Sequence, residues 1–145
     1  MNRLIVVTHG RLGEALLDSA RLILGELPDG ARDVCLCPED NLDSMRAKIA
    51  AALDPVEEPG HAVPALALVD LFGGTACNAT AWALEGRDFQ IVAGVNLPML
   101  LEVLMQWGRL SVEQASRVAV EAGLRSVVDV RAALSRLDTP AAVGS

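Results

Sequence analysis

The sequence predicts an α/β fold: a doubly wound, mainly parallel sheet with helices on both faces. Three observations carry this expectation. Short, unbroken apolar runs alternate with stretches of helical apolar spacing along most of the chain. The runs are too uniformly apolar for a sheet with one wet face, so the strands should be covered on both sides. The joints between them carry Gly, Pro and Asn where strands stop and helices start.

Leu4 to Thr8 is the first run, β-branched and buried on both faces. Leu12, Leu16, Ala20 and Ile23 then recur at helical steps and Gly25 stops the pattern, which places a helix over Gly10 to Leu24. Val34 to Cys37 reads as the second strand, halted by Pro38. Asn41 is placed to cap a second helix with Leu42, Met45, Ile49 and Leu53 as its apolar positions. Asp54 to Pro64, with three prolines and Gly60, reads as a surface loop. Ala65 to Val69 is the third strand, and Cys77 to Leu84 has helical spacing. Phe89 to Ala93 is the fourth strand and Gly94 to Leu97 a loop. Pro98 fits the first turn of a helix reaching Gln106, because its missing N–H is unpaired there anyway. Ser111 is a candidate N-cap for a helix whose stripe is Val112, Ala115, Val118, Ala119 and Ala122, ending at Gly123. Leu124 to Leu137 gives mixed signals: Val127, Val128 and Val130 favour a strand, whereas the stretch from Arg131 favours a helix. Four βα units in succession imply a parallel sheet in the flavodoxin-like order 2-1-3-4. One domain over residues 1–137 and a flexible tail over 138–145 complete the organisation.

Composition excludes several function classes. At 145 residues and 52% hydrophobic the chain has material for one packed core. A net charge of -7, a single lysine and no tyrosine give neither the basic footprint nor the stacking platforms of a nucleic-acid binder. The longest apolar stretches are broken by Asp70, Asn96 and Glu102 well short of the roughly 20 residues a membrane span needs. With no export signal or anchor read at the start, the expected location is cytoplasmic. Cys35 and Cys37 alternate to one side of a strand, Cys77 stands apart, and no disulfide framework is expected. His9 and His61 are far apart, so neither a metal nor another cofactor is expected.

In open parallel sheets, ligands sit beyond the carboxyl ends of the strands where the strand order reverses. Three segments should share that rim: Thr8-His9-Gly10-Arg11, Asp70 to Thr75, and Gly94 to Pro98. His9 leaves an apolar strand and meets a glycine at once. Two readings fit it, a loop or capping residue and an imidazole facing a ligand. Asp70 leaves the neighbouring strand; it reads as a helix cap or as the carboxylate that fixes the tautomer of His9 and frees its other nitrogen for nucleophilic chemistry. Gly73-Gly74-Thr75 opens the third helix, either as a tight turn or as a cradle of backbone N–H groups for an anion, with the Thr75 hydroxyl adding a donor. It lacks the Lys-Ser/Thr end of a nucleotide-triphosphate loop, and Lys48 is in the second helix. A flavin site is poorly served by Phe72, Trp82, Phe89 and Trp107 as the only aromatics. A receiver domain would need an acidic pair where Thr8-His9 stands.

At these residues the sequence resembles the EIIA domain of the mannose-family phosphotransferase system. The matching stretches are Val6-Val7-Thr8-His9-Gly10 with Ala15-Leu16-Leu17, then Leu68-Val69-Asp70-Leu71-Phe72-Gly73-Gly74-Thr75 with Asn78-Ala79, then Val92 to Leu100 with Glu102. The resemblance covers most of the chain through Gly123. It implies a phosphotransferase that accepts a phosphoryl group from phospho-HPr on His9 and passes it to EIIB. Asp70 matches the carboxylate that orients the histidine, and Thr75 stands where the family has a serine. Together with Gly10, Arg11, Gly73 and Gly74, Thr75 makes up the expected phosphate-binding set. The resemblance also implies a homodimer that exchanges a C-terminal edge strand, and the valine-rich Leu124 to Val130 is the segment for it. Ala76 stands where the family usually has proline. Two other roles remain open on sequence: a regulatory module whose His9 phosphorylation controls binding to another protein, and the phosphodonor subunit of a dihydroxyacetone kinase. The acidic balance suits a donor that presents a positive surface.

Overall fold

The computed structural model describes residues 2–53 and 62–137. The elements in chain order are β1 (Arg3–His9), α1 (Leu12–Leu24), β2 (Ala31–Leu36), α2 (Leu42–Leu53), β3 (Ala65–Val69), α3 (Gly74–Leu84), β4 (Phe89–Ala93), α4 (Leu97–Met105), α5 (Val112–Arg125) and α6 (Val130–Leu137). The four strands form one parallel sheet in the order β2-β1-β3-β4. Most of the loop expected over Asp54 to Pro64, His61 included, and the tail from Asp138 lie outside the described residues.

Strand alternation divides the core in two. Leu4 and Val6 of β1, with Leu66 and Leu68 of β3, pack against α1, α4 and α5. Ile5 and Val7, with Ala65, Ala67 and Val69, pack against α2 and α3. All nine side chains are fully buried, which is why the central runs contain no polar break. On the second face small meets small: the β3 alanines share a cluster with Ala76 and Ala79 of α3.

Several helix boundaries follow from hydrogen bonds that the apolar pattern does not encode. Helix α2 begins as expected at Asn41, whose Oδ1 accepts the Ser44 N–H at 2.9 Å while Ser44 Oγ accepts the Asn41 N–H at 2.9 Å. Ser111 caps α5 in a full capping box with Gln114. Helix α1 starts two residues later than expected and buries Gly13, Leu17 and Ala20, leaving Leu12 and Ile23 largely exposed. Ala20 is buried as expected and Leu16 packs against the core in part, while Gly13 and Leu17 take the fully buried positions beside them. Helix α3 starts earlier than Cys77, at Gly74. Strand β2 starts earlier than Val34, at Ala31, because an edge strand tolerates Arg32 and Asp33 on its wet side.

The expected C-terminal edge strand is not present among the described residues. Helix α5 runs past Gly123 to Arg125, and α6 begins at Val130. Asp129 initiates α6: its Oδ1 accepts the Ala132 N–H at 3.0 Å and its carbonyl accepts the Ala133 N–H at 3.0 Å. Too little chain remains between the two helices to pair with β4. The β-branched residues that suggested a strand are instead exposed, Val127 at 86% and Val130 at 64%.

Asp40 anchors the entry to α2. Lys48 Nζ donates to its Oδ2, the Cys37 N–H donates to the same oxygen at 2.8 Å, and Ser44 Oγ donates to Oδ1 at 2.8 Å. The Lys48 hydrogen bond, then those from Cys37 and Ser44, pull this carboxyl down to about 2 against the opposing effect of burial. A depressed folded-state pKa stabilises the protein above the ordinary value of 3.8, and that contribution is lost as pH falls through about 2. Asp40→Asn is therefore expected to destabilise the fold at neutral pH, with the gap from wild type closing between those two values. Urea melts across that range check this, and a gap independent of pH would contradict it.

Candidate active site

The direction of chain travel reverses between β1 and β3. From β1 the chain passes through α1 on one face to β2, whereas from β3 it passes through α3 on the other face to β4. The carboxyl ends of β1 and β3 therefore border a crevice with a helix start on each side. His9 is the last residue of β1 and Asp70 immediately follows β3.

One carboxylate oxygen holds the histidine twice. Asp70 Oδ2 accepts the His9 backbone N–H at 2.9 Å and lies 2.9 Å from His9 Nδ1. The double contact fixes the ring relative to its own backbone. It places the ring proton on Nδ1, which leaves Nε2 with a free lone pair. The side chain of His9 is 53% exposed and that of Asp70 only 11%, so a buried anion backs an imidazole that reaches solvent. Burial pushes the Asp70 pKa up, but the hydrogen bonds from the His9 backbone and ring outweigh it, and the net shift is downward. Asp70 is ionised at neutral pH. Its other oxygen, Oδ1, is buried without a hydrogen-bond partner among the described residues, so the negative charge is concentrated against His9.

Helix starts flank this pair. Neither Arg11, before α1, nor Gly73, before α3, makes a side-chain cap. Gly73 has φ 85° and Gly74 φ 76°, a left-handed pair that side-chain-bearing residues resist, and nothing lies within 4 Å of where their Cβ atoms would be. The requirement for glycine is conformational, and the space above the turn is open to a ligand. Thr75 is exposed beside it. Gly10 donates its N–H to Leu36 O at 2.9 Å, which ties the turn after His9 to the end of β2. Arg11 is occupied: its Nε and Nη2 donate to Glu14 at 3.0 and 3.2 Å, and the side chain is 83% exposed.

The third rim segment contributes structure instead. The N–H groups of Gly94 and Val95 both go to Val69 O, Asn96 Oδ1 accepts the Met99 N–H at 3.0 Å to cap α4, and Asn96 Nδ2 donates to Gly123 O at 3.4 Å. Sequence reading did not single out the Thr8–Gly13 link. Thr8 is fully buried, and its Oγ1 accepts the Gly13 N–H at 2.8 Å, fastening α1 to the residue before His9. A Cβ on Gly13 would lie 3.2 Å from Val6 O, so the helix sits on the strand with no room to spare. The signal was a polar residue closing an apolar strand with a glycine one helical turn beyond it. Thr8→Val keeps the shape but orphans that N–H, and it is expected to cost about 1–3 kcal/mol of stability. Thermal denaturation tests this; an unchanged melting temperature would contradict it.

Leu71 and Phe72 stand at the tip of the β3–α3 turn, 60% and 93% exposed. Apolar side chains this open next to a reactive group suit contact with a macromolecule. No helix among the described residues is long and apolar enough to cross a membrane.

Known proteins share this sequence pattern and this fold. The family described as "EIIA-man: PTS system fructose IIA component" matches residues 3–120. The sorbose-specific EIIA component of Lacticaseibacillus casei is 36% identical over 112 residues, 77% of this chain and 78% of the relative. The mannose-specific EIIAB component of Escherichia coli K12 is 30% identical over 131 residues, 89% of this chain but 39% of that longer protein. Among solved structures, the mannose/sorbose-specific IIA subunit from Enterococcus faecalis superposes with a TM-score of 0.77 at 35% identity, covering 88% of this chain and 92% of its own. The family match spans both residues of the clamped pair and all three rim segments. This chain belongs to the EIIA components of the mannose/sorbose family of the phosphotransferase system.

Proposed function

We propose that this chain is a phosphocarrier that accepts a phosphoryl group from HPr on Nε2 of His9 and passes it to an EIIB partner. The observation that carries this reading is the double hold of Asp70 Oδ2 on His9, which leaves Nε2 as the one ring nitrogen with a free lone pair. In the forward step Nε2 attacks phosphorus in line as the N–P bond to the donor breaks. No proton leaves, because Nδ1–H stays on Asp70. The phosphorylated ring carries imidazolium-like charge, and the buried carboxylate stabilises it without quenching its ability to leave in the second step.

Positioning and donors do the remaining work. The backbone N–H groups at the helix starts after Gly10 and after Gly73-Gly74 face the equatorial oxygens, and Thr75 adds a hydroxyl. Arg11 reaches the phosphate by releasing Glu14. Leu71 and Phe72 provide apolar contact for the protein partners on both sides of the transfer. Incubation with phosphoenolpyruvate, enzyme I and HPr tests the reading: one acid-labile phosphate is expected on the intact mass, and its absence would overturn the carrier function.

The chain is also proposed to work as a homodimer. Among the described residues no strand pairs with the outer edge of β4, and a groove of about 470 Å³ runs beside it, lined among others by Val92, Met99, Val120, Leu124 and Val127. Leu124, Val127, Val128 and Val130 are all more than half exposed, an apolar run that a second copy would cover. Sedimentation should show a dimer that dissociates when Val127 and Val128 are both replaced by Asp. A wild-type monomer would contradict the assembly and leave the carrier chemistry unaffected.

A further inference from the structure

The end of β2 carries a second cluster on the same rim, and the transfer chemistry does not use it. Cys35 lies in β2 opposite Thr8, and Cys37 lies just past the strand end. Their Sγ atoms are 3.4 Å apart, and both residues are only half-buried. Lys48, from α2, closes the cluster: its Nζ donates to Cys35 O at 3.1 Å and lies 3.9 Å from Cys37 Sγ. The residue between the cysteines, Leu36, is opposite His9, and its carbonyl accepts the Gly10 N–H at 2.9 Å.

We propose that Cys35 and Cys37 form a reversible disulfide, and that closing it slows phosphoryl acceptance at His9 by moving the Leu36 carbonyl that holds the Gly10 turn. The oxidant is a low-molecular-weight disulfide of the glutathione type. One cysteine thiolate attacks it and expels a thiol; the second cysteine then displaces the remaining thiol. One S–S bond forms in the protein, one is broken in the oxidant, and the two cysteine protons end on the released thiols. Geometry favours a labile bond. Two residues of extended chain span roughly 6.6 Å between Cα atoms, near the upper limit for a disulfide, so the bridge is strained and easily reduced. Cys37 stands outside the strand and leads into the turn at Pro38, with its N–H held by Asp40 Oδ2 at 2.8 Å. Its thiol is pushed up first by the hydrogen bond shared with Cys35 and then by burial, with Lys48 pulling the other way.

The second half of the proposal rests on His9 being the acceptor, so the experiment separates the two. Protein treated with oxidised glutathione, then alkylated and digested with trypsin, should yield the peptide between Arg32 and Arg46 two hydrogens lighter and unalkylated, and dithiothreitol should reverse this. Under the same treatment, the labelling rate from phospho-HPr should fall roughly tenfold. Cys35→Ser and Cys37→Ser should label at the reduced wild-type rate with or without oxidant. The imidazole ¹⁵N resonances of His9 should move on oxidation with no donor present. Free thiols or glutathione adducts alone in the peptide would overturn the disulfide. A closed disulfide with unmoved His9 resonances, or equal inhibition of the serine variants, would overturn the coupling. If reduced wild-type protein takes no label while the disulfide and the resonance shift are both seen, the carrier reading fails and the coupled dithiol stands.

Discussion

His9→Ala is expected to reduce phosphoryl labelling by phospho-HPr on the order of 10⁴-fold or more, to background. No other imidazole among the described residues can take over, and the remaining nucleophiles on the rim, such as the Thr75 hydroxyl, are poor acceptors from a phosphohistidine at neutral pH. The fold should survive. The His9 side chain is half exposed, and its backbone N–H keeps its bond to Asp70 Oδ2 when the ring is removed. A near-native melting temperature with no label is therefore the expected pair of results. Persistence of an acid-labile phosphate in this variant would mean that another residue is the acceptor.

Asp70→Asn should slow transfer about a hundredfold, equivalent to about 2.7 kcal/mol of transition-state stabilisation. The amide oxygen can replace Oδ2 as acceptor for both the His9 N–H and the Nδ1–H. Flipping the amide would set its NH₂ against that backbone N–H, so the tautomer is expected to be preserved. What is lost is a negative charge beside the imidazolium-like ring, and such a pair at this spacing in a partly buried site has an interaction of a few kcal/mol. The effect should fall on the rate of transfer and not on HPr binding, because the substitution leaves the proposed apolar contact at Leu71 and Phe72 unchanged. The amide NH₂ takes the place of the unpartnered Oδ1 in a buried position, so a stability loss of about 1–3 kcal/mol should accompany it. Single-turnover labelling against donor concentration separates these effects; an unchanged limiting rate would leave Asp70 a purely structural role.

Strands β1 and β3 were legible in the sequence because both of their faces are covered, and burial on two sides demands an unbroken apolar run; β4, only partly buried, is apolar but for Gln90. The start of β2 was not, since Arg32 and Asp33 sit on an exposed edge where burial imposes no pattern. Val127, Val128 and Val130 misled for a related reason. Their β-branched side chains favour a strand only when a partner strand is available, and within one chain Asp129 starts a helix instead. His9 and Asp70 could be paired from sequence because parallel strands bring their carboxyl ends to one rim. The registers that give the pair its finer geometry depend on hydrogen bonds between distant residues, Thr8 to Gly13 and Leu36 to Gly10, which no periodicity announces. Arg11 was legible by position as a candidate phosphate ligand, but its pairing with Glu14 was not, since it depends on the first turn of α1 bringing that carboxylate within reach. The dithiol was half legible: alternation put Cys35 and Cys37 on one side, but only the fold brings Lys48 and the turn after His9 to them.

Asp70 is expected to determine which nitrogen of His9 carries the phosphoryl group. Long-range ¹H–¹⁵N and ³¹P spectra of the protein phosphorylated by enzyme I and HPr read that nitrogen directly. Phosphorus bonded to Nε2 of His9, with Nδ1 still protonated, is the expected result, and phosphorus on Nδ1 or on any other residue would contradict it.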